Sequence, residues 1–190
     1  MSIRAVIFDM DGTLTRPYLD FPAIRVAIGV AEPLLENMLA LPPGPERDRA
    51  FSILDRFEEE AAEASELNDG ARDVVDFLSS RQIPLGLVTR NSRRSTERVL
   101  QKHALSFPIV VTREDAPAKP RPEPLWMICE KLGVMPAHAL MVGDFKFDIV
   151  AGRNAGTRTA LLTNGRTPSY LQEIPPDHVL ERLADLLHLF

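Results

Sequence analysis

Cysteine occurs once in the 190 residues, at Cys129, so no disulfide can form within the chain. That usage suits a reducing compartment, and a cytoplasmic location is expected. Excess positive charge is also missing: 22 Lys and Arg face 27 Asp and Glu, a formal net charge of -5. No global positive field therefore draws the chain to nucleic acid, although a bound cation can invert the field at a local site. Long apolar runs are absent too. None approaches the ~20 residues that cross a bilayer, and the run after Met1 ends at Asp9, too soon for a secretory core. Neither membrane nor nucleic acid is an expected partner. Internal repeats and low-complexity tails are likewise lacking. What remains is an ordinary composition, 45% hydrophobic and 26% charged, long enough for one buried core and a modest insert.

Short apolar runs rich in β-branched residues punctuate the chain: AVIF (5–8), PLGLV (84–88), PIVV (108–111), ALMV (139–142) and TALLT (159–163). Runs without polar alternation are expected of strands buried on both faces of a parallel sheet. Between them, Ala71, Val74, Val75 and Leu78 recur at helical spacing, as do Leu125, Ile128, Cys129 and Leu132. Alternating strands and helices predict an α/β, Rossmann-like doubly wound fold. Residues 15–67 interrupt the alternation with three helical segments (24–30, 33–41, 47–67), two of them separated by the turn Pro42 to Pro45. We expect a core of residues 1–14 and 68–190 with a helical insert over 15–67. The acidic run Glu58 to Glu66 reads as a solvated helix face, and Glu181 to Leu189 as an amphipathic helix. Cys129 is expected to be a small buried hydrophobe.

Ligands of open parallel sheets bind beyond the carboxyl ends of the strands. There the sequence places Asp9 and Asp11 after the first run, Thr89, Arg90 and Asn91 after the second, Lys119 after the third, and Asp144 and Asp148 after the fourth. Singly, each has a plainer reading: a self-bonded aspartate turn, a helix cap, a loop lysine, first-turn charges. Together they put four carboxylates, a hydroxyl and an ammonium at one sheet edge. Clustered carboxylates repel unless a cation joins them, and oxygen-only ligands select magnesium, which keeps positions open for a phosphate oxygen. Lys119 adds a point charge and Thr89 a hydroxyl, a set suited to phosphoryl transfer. Residues two apart in extended chain share a side, so Asp9 can attack phosphorus while Asp11 handles the proton.

FDMDGTLT (8–15), Thr89, Lys119 in KPRPEP and GDFKFD (143–148) together resemble the four ordered motifs of the haloacid dehalogenase superfamily, over the whole chain. The helical insert is similar to the cap of phosphoglycolate-phosphatase-like members. The resemblance implies Asp9 as nucleophile, Asp11 as acid and base, and Thr89 and Lys119 on the phosphate. It further implies Mg2+ on Asp9, the Asp11 carbonyl and Asp144, with Asp148 close by. Arg90 and Asn91 are added as candidate phosphate contacts. Dehalogenase relatives lack an acid two residues after the nucleophile, and phosphonatase relatives need a cap lysine, whereas the first lysine here is Lys102.

The expected activity is hydrolysis of a small phosphomonoester through an aspartyl-phosphate, by a monomer. The alternatives are phosphotransfer or mutase chemistry on the same core, and a catalytically silent phosphate binder. RPYLDF after TLT departs from the usual phosphoglycolate-phosphatase continuation, which argues against that substrate. Arg16, Tyr18, Asp20 and Arg25 open the cap and are candidate specificity residues. The four histidines and Trp126 are expected to be structural.

Overall fold

The computed structural model describes residues 2–190. Six strands form one parallel sheet: β1 (Ala5–Phe8), β2 (Leu85–Val88), β3 (Ile109–Val111), β4 (Ala139–Gly143), β5 (Arg158–Leu162) and β6 (His178–Leu180). Their order is β3-β2-β1-β4-β5-β6, so the chain moves outward from β1 on one side and then returns to continue from β4 on the other. The crevice between the C-terminal ends of β1 and β4 is thus the point where the winding reverses.

Both faces of the sheet are covered, which is why its strands carry no polar alternation. Val6, Phe8, Leu140 and Val142 point to one face, packed by α4 (Ala71–Ser80), α5 (Arg93–Lys102) and the 3-10 helix Leu183–Leu189. Ala5, Ile7, Ala139 and Met141 point to the other, against α6 (Glu123–Leu132) and α7 (Lys146–Ala155). Cys129 is buried in this second layer. No helix among the described residues is long and apolar enough to cross a membrane.

The insert between β1 and α4 holds α1 (Phe21–Ile28), α2 (Leu34–Ala40) and α3 (Pro45–Ala64). Ile24, Leu34, Met38, Ala50 and Leu54 give it an apolar cluster of its own. Asp20 caps α1 by accepting a 3.0 Å bond from the Ala23 amide. Pro45 occupies the first turn of α3, where a missing N–H costs nothing.

Three sequence expectations are corrected. β6 is a sixth strand beyond the five apolar runs: its HVL stretch opens on His178 and an exposed Val179, so no apolar run marks it. The C-terminal segment packs its apolar residues but winds as a 3-10 helix rather than an α-helix. The acidic run is not wholly a solvated face, because Glu58 is buried. Arg113, from the loop after β3, pairs with Glu58 and reaches Asp55 at 2.5 Å, tying α3 to the core. The other Glu58 oxygen accepts the Ser92 amide at 2.9 Å.

Candidate active site

Extended chain leaving β1 sends Asp9 and Asp11 to one side, while the intervening Met10 is buried in the apolar layer below. The Asp9 amide is held by the Val142 carbonyl at 2.9 Å, which registers this loop against β4. Gly12 turns the chain with φ +81°, and a Cβ there would overlap the Asp144 carboxylate. Its carbonyl is fixed from across the sheet edge by the Asn164 amide at 2.9 Å.

Four strand ends converge. The Lys119 ammonium is fully buried and donates to Asp9 Oδ1, to Asp148 Oδ1 at 2.6 Å and to the Val88 carbonyl at 3.2 Å. Asp148 Oδ2 accepts the Phe145 amide at 3.0 Å and so also starts α7. Asp9, Asp144 and Asp148 each offer an oxygen, all within 4.8 Å of one another. Three carboxylates thus share one ammonium, and the cluster keeps excess negative charge. Burial, together with Asp148 and against the pull of Lys119, lifts the Asp9 carboxyl to about 7. Burial and the neighbouring Asp9 and Asp148 raise Asp144 as well. Burial alone would lower Lys119, but Asp148 and Asp9 outweigh it and the net shift is upward. An all-oxygen, over-negative donor set fits a hard divalent cation.

Asp11 stands slightly apart. Its Oδ2 accepts a 2.7 Å bond from the Asn91 amide group. Burial, then the charge of Glu58, raises its carboxyl to about 6. That value places a carboxyl near the range where acid and base work are both accessible at neutral pH. Thr89 is buried and its hydroxyl oxygen accepts the Asn91 amide at 3.1 Å, shaping the loop after β2.

All eight candidate residues named from the sequence line one cavity of about 300 Å³. They are not equivalent within it. Arg90 does not reach in freely: its two terminal nitrogens grip both Glu36 oxygens at 3.0 Å, and it donates to the Lys119 carbonyl. Tyr18 and Arg25 also line the cavity, whereas Arg16 pairs with Asp69 at 2.8 Å. Trp126 bonds the Ala155 carbonyl at 3.1 Å and His103 meets Ser65 at 2.9 Å, both structural contacts.

Sequence reading missed Glu58, Phe145 and Phe147 as cavity walls. A signal for Glu58 existed. Ala50, Leu54, Glu58 and Ala62 recur every four residues and all are buried, so the carboxylate sits inside an apolar stripe.

Residues 36–162 match the family model described as haloacid dehalogenase-like hydrolase. The chain belongs to that family. This haloacid dehalogenase-like hydrolase is 34% identical over 209 residues to pyrophosphatase PpaX of Bacillus cereus, covering 98% of this chain and 96% of the relative. The fold is shared with a hydrolase from Pseudomonas syringae (TM-score 0.81, 22% identity, 97% and 96% of the two chains). It is shared as well with a predicted phosphoglycolate phosphatase from Haemophilus somnus (TM-score 0.72, 22% identity, 100% and 98%).

Proposed function

We propose that this family member is a magnesium-dependent phosphomonoester hydrolase working through an aspartyl-phosphate on Asp9. The observation that carries the reading is the pairing of two differently held carboxyls at one strand end. Asp9 is gripped by Lys119, and Asp11 is held by Asn91 with its carboxyl raised to about 6. Asp9 attacks phosphorus, the bond to the ester oxygen breaks, and Asp11 delivers its proton to the departing alkoxide. Water then loses a proton to Asp11 as it attacks the acyl phosphate, releasing inorganic phosphate and regenerating Asp9. Thr89 lies where its hydroxyl can hold a phosphate oxygen, Lys119 supplies positive charge beside it while its N–H bonds go to Asp9, Asp148 and the Val88 carbonyl, and Asn91 fixes the Asp11 rotamer. Asp9, Asp144 and Asp148 would hold Mg2+, which neutralises phosphate charge when bound. We assign residues 15–67 as a cap over the core formed by 1–14 and 68–190. In this arrangement the cap covers the cavity and shields the first phosphoryl transfer, from ester to Asp9, from bulk water.

Phosphate release from a panel of phosphomonoesters, with magnesium and with chelator, tests the reading. Turnover is expected with magnesium, and chelation should abolish it. Metal-independent release would refute the assignment, and silence toward every ester would favour a phosphate-binding role instead.

A second expectation concerns Gly12. Alanine there is strained at φ +81° and drives its Cβ into Asp144. Gly12→Ala should raise the magnesium concentration for half-maximal turnover by about tenfold or more, in line with losses seen when metal ligands lose their support. Titrating magnesium against both proteins checks it.

A further inference from the structure

We propose that the cavity selects phosphomonoesters whose leaving alcohol is uncharged and aromatic or alkyl, and discriminates against leaving groups that carry a second anion. This rests on the phosphatase reading above. Three cations line the cavity, and each already has a carboxylate partner. Lys119 is engaged by Asp9 and Asp148. Arg25 lies 3.6 Å from Glu32, and Arg90 is held by both oxygens of Glu36. Arg90 is further fixed over the Phe147 ring, 4.7 Å from its centroid. Six carboxylates line the same space: Asp9, Asp11, Glu32, Glu58, Asp144 and Asp148. A magnesium ion would serve the reacting phosphoryl group, so a second phosphate or a carboxylate would face acidic walls and, among the described lining residues, no cation without a carboxylate partner; Lys146, over the Phe145 and Phe147 rings at 5.6 and 5.7 Å, lies outside the lining.

Apart from Thr89 and Asn91 at the reacting end, the rest of the lining is largely apolar and aromatic. Tyr18 and Phe21 from the insert are about half exposed, at 51% and 48%, and Leu34 and Leu54 stand beside them. From the core, Phe145 and Phe147 pack edge to face at 5.0 Å. Phe145 is also held edge-on by Tyr170, at 5.9 Å. Such walls favour an apolar or aromatic group, and the cavity lies at the small end of the range for ligand pockets. Inorganic pyrophosphate leaves as phosphate, and phosphoglycolate leaves as a carboxylate-bearing alcohol. Both would place a second anion in this space.

The test compares kcat/KM, with magnesium, for 2-phenylethyl phosphate, phosphoglycolate and inorganic pyrophosphate. The aromatic ester is expected to lead by at least about tenfold, the scale at which a pocket discriminates by apolar contact. Glu36→Gln, which frees the Arg90 charge, should lower that ratio by about tenfold. A wild-type preference for phosphoglycolate or pyrophosphate overturns the proposal and leaves the phosphatase reading standing. A ratio unchanged in folded E36Q protein overturns the role of the Arg90–Glu36 pair. Absence of magnesium-dependent release from all three overturns the phosphatase reading, and this proposal with it.

Discussion

Asp9→Asn is expected to lower magnesium-dependent phosphate release by about 10,000-fold or more, the scale on which losing a nucleophile is felt. Asparagine keeps the shape and can still accept from Lys119, but its amide cannot form an acyl phosphate. The same substitution carries a stability signature that separates lost chemistry from lost fold. In the metal-free protein the Asp9 carboxyl sits at about 7, above its ordinary 3.8. Folding then favours the protonated form, so stability is full below the unfolded value and declines as pH rises from about 4 through about 7. Chelator-treated wild-type protein should therefore melt at lower temperature as pH climbs across that window. The asparagine variant should show a shallower decline and a midpoint at neutral pH no lower than wild type. Magnesium should raise the wild-type midpoint more than that of the variant, because binding to the folded state alone stabilises it. Turnover by the asparagine variant at the wild-type rate would sink the proposed mechanism.

Lys119→Met should damage stability and activity together. The ammonium is fully buried and bridges Asp9, Asp148 and the Val88 carbonyl. Methionine fills a similar volume, yet it leaves two buried carboxylates facing each other without a cation. Removing one partner of a buried ion pair costs about 3–5 kcal/mol. In chelator, denaturant unfolding of K119M should lose stability on that scale. Magnesium should recover part of it by supplying the missing positive charge. Turnover should still fall by about 100-fold or more with saturating magnesium, because a preorganised positive charge that holds Asp9 and faces the phosphoryl group has gone. Stability equal to wild type in chelator would show that Lys119 is not what balances the cluster.

The core of the fold was legible because burial on both faces leaves continuous apolar strands, as in AVIF and ALMV, with helical periodicity between them. The candidate site was legible because a parallel sheet collects its loops at one edge, so residues after each run must meet there. Asp9, Asp11, Thr89, Arg90, Asn91, Lys119, Asp144 and Asp148 do line one cavity. Pairing was not legible. Arg90 read as a candidate phosphate contact, but its partner Glu36 lies 54 residues away on the insert. Glu58 read as solvated because its run is acidic, while its partner Arg113 is equally remote, 55 residues along the chain. β6 and the 3-10 form of the last segment escaped for a different reason. In β6 a histidine and an exposed valine replace the continuous apolar run, and the last segment's winding is set where Leu183 and Leu186 pack into the core rather than by local periodicity.

Local pattern thus determined five of the six strands, the helical segments between them in outline, the order of the motifs and the chemical types available at the sheet edge. Tertiary structure decided which charges were already neutralised: Lys119 between Asp9 and Asp148, Arg90 on Glu36, Arg113 on Glu58. Periodicity is a property of neighbouring residues, whereas desolvation and ion pairing depend on groups brought together from distant parts of the chain.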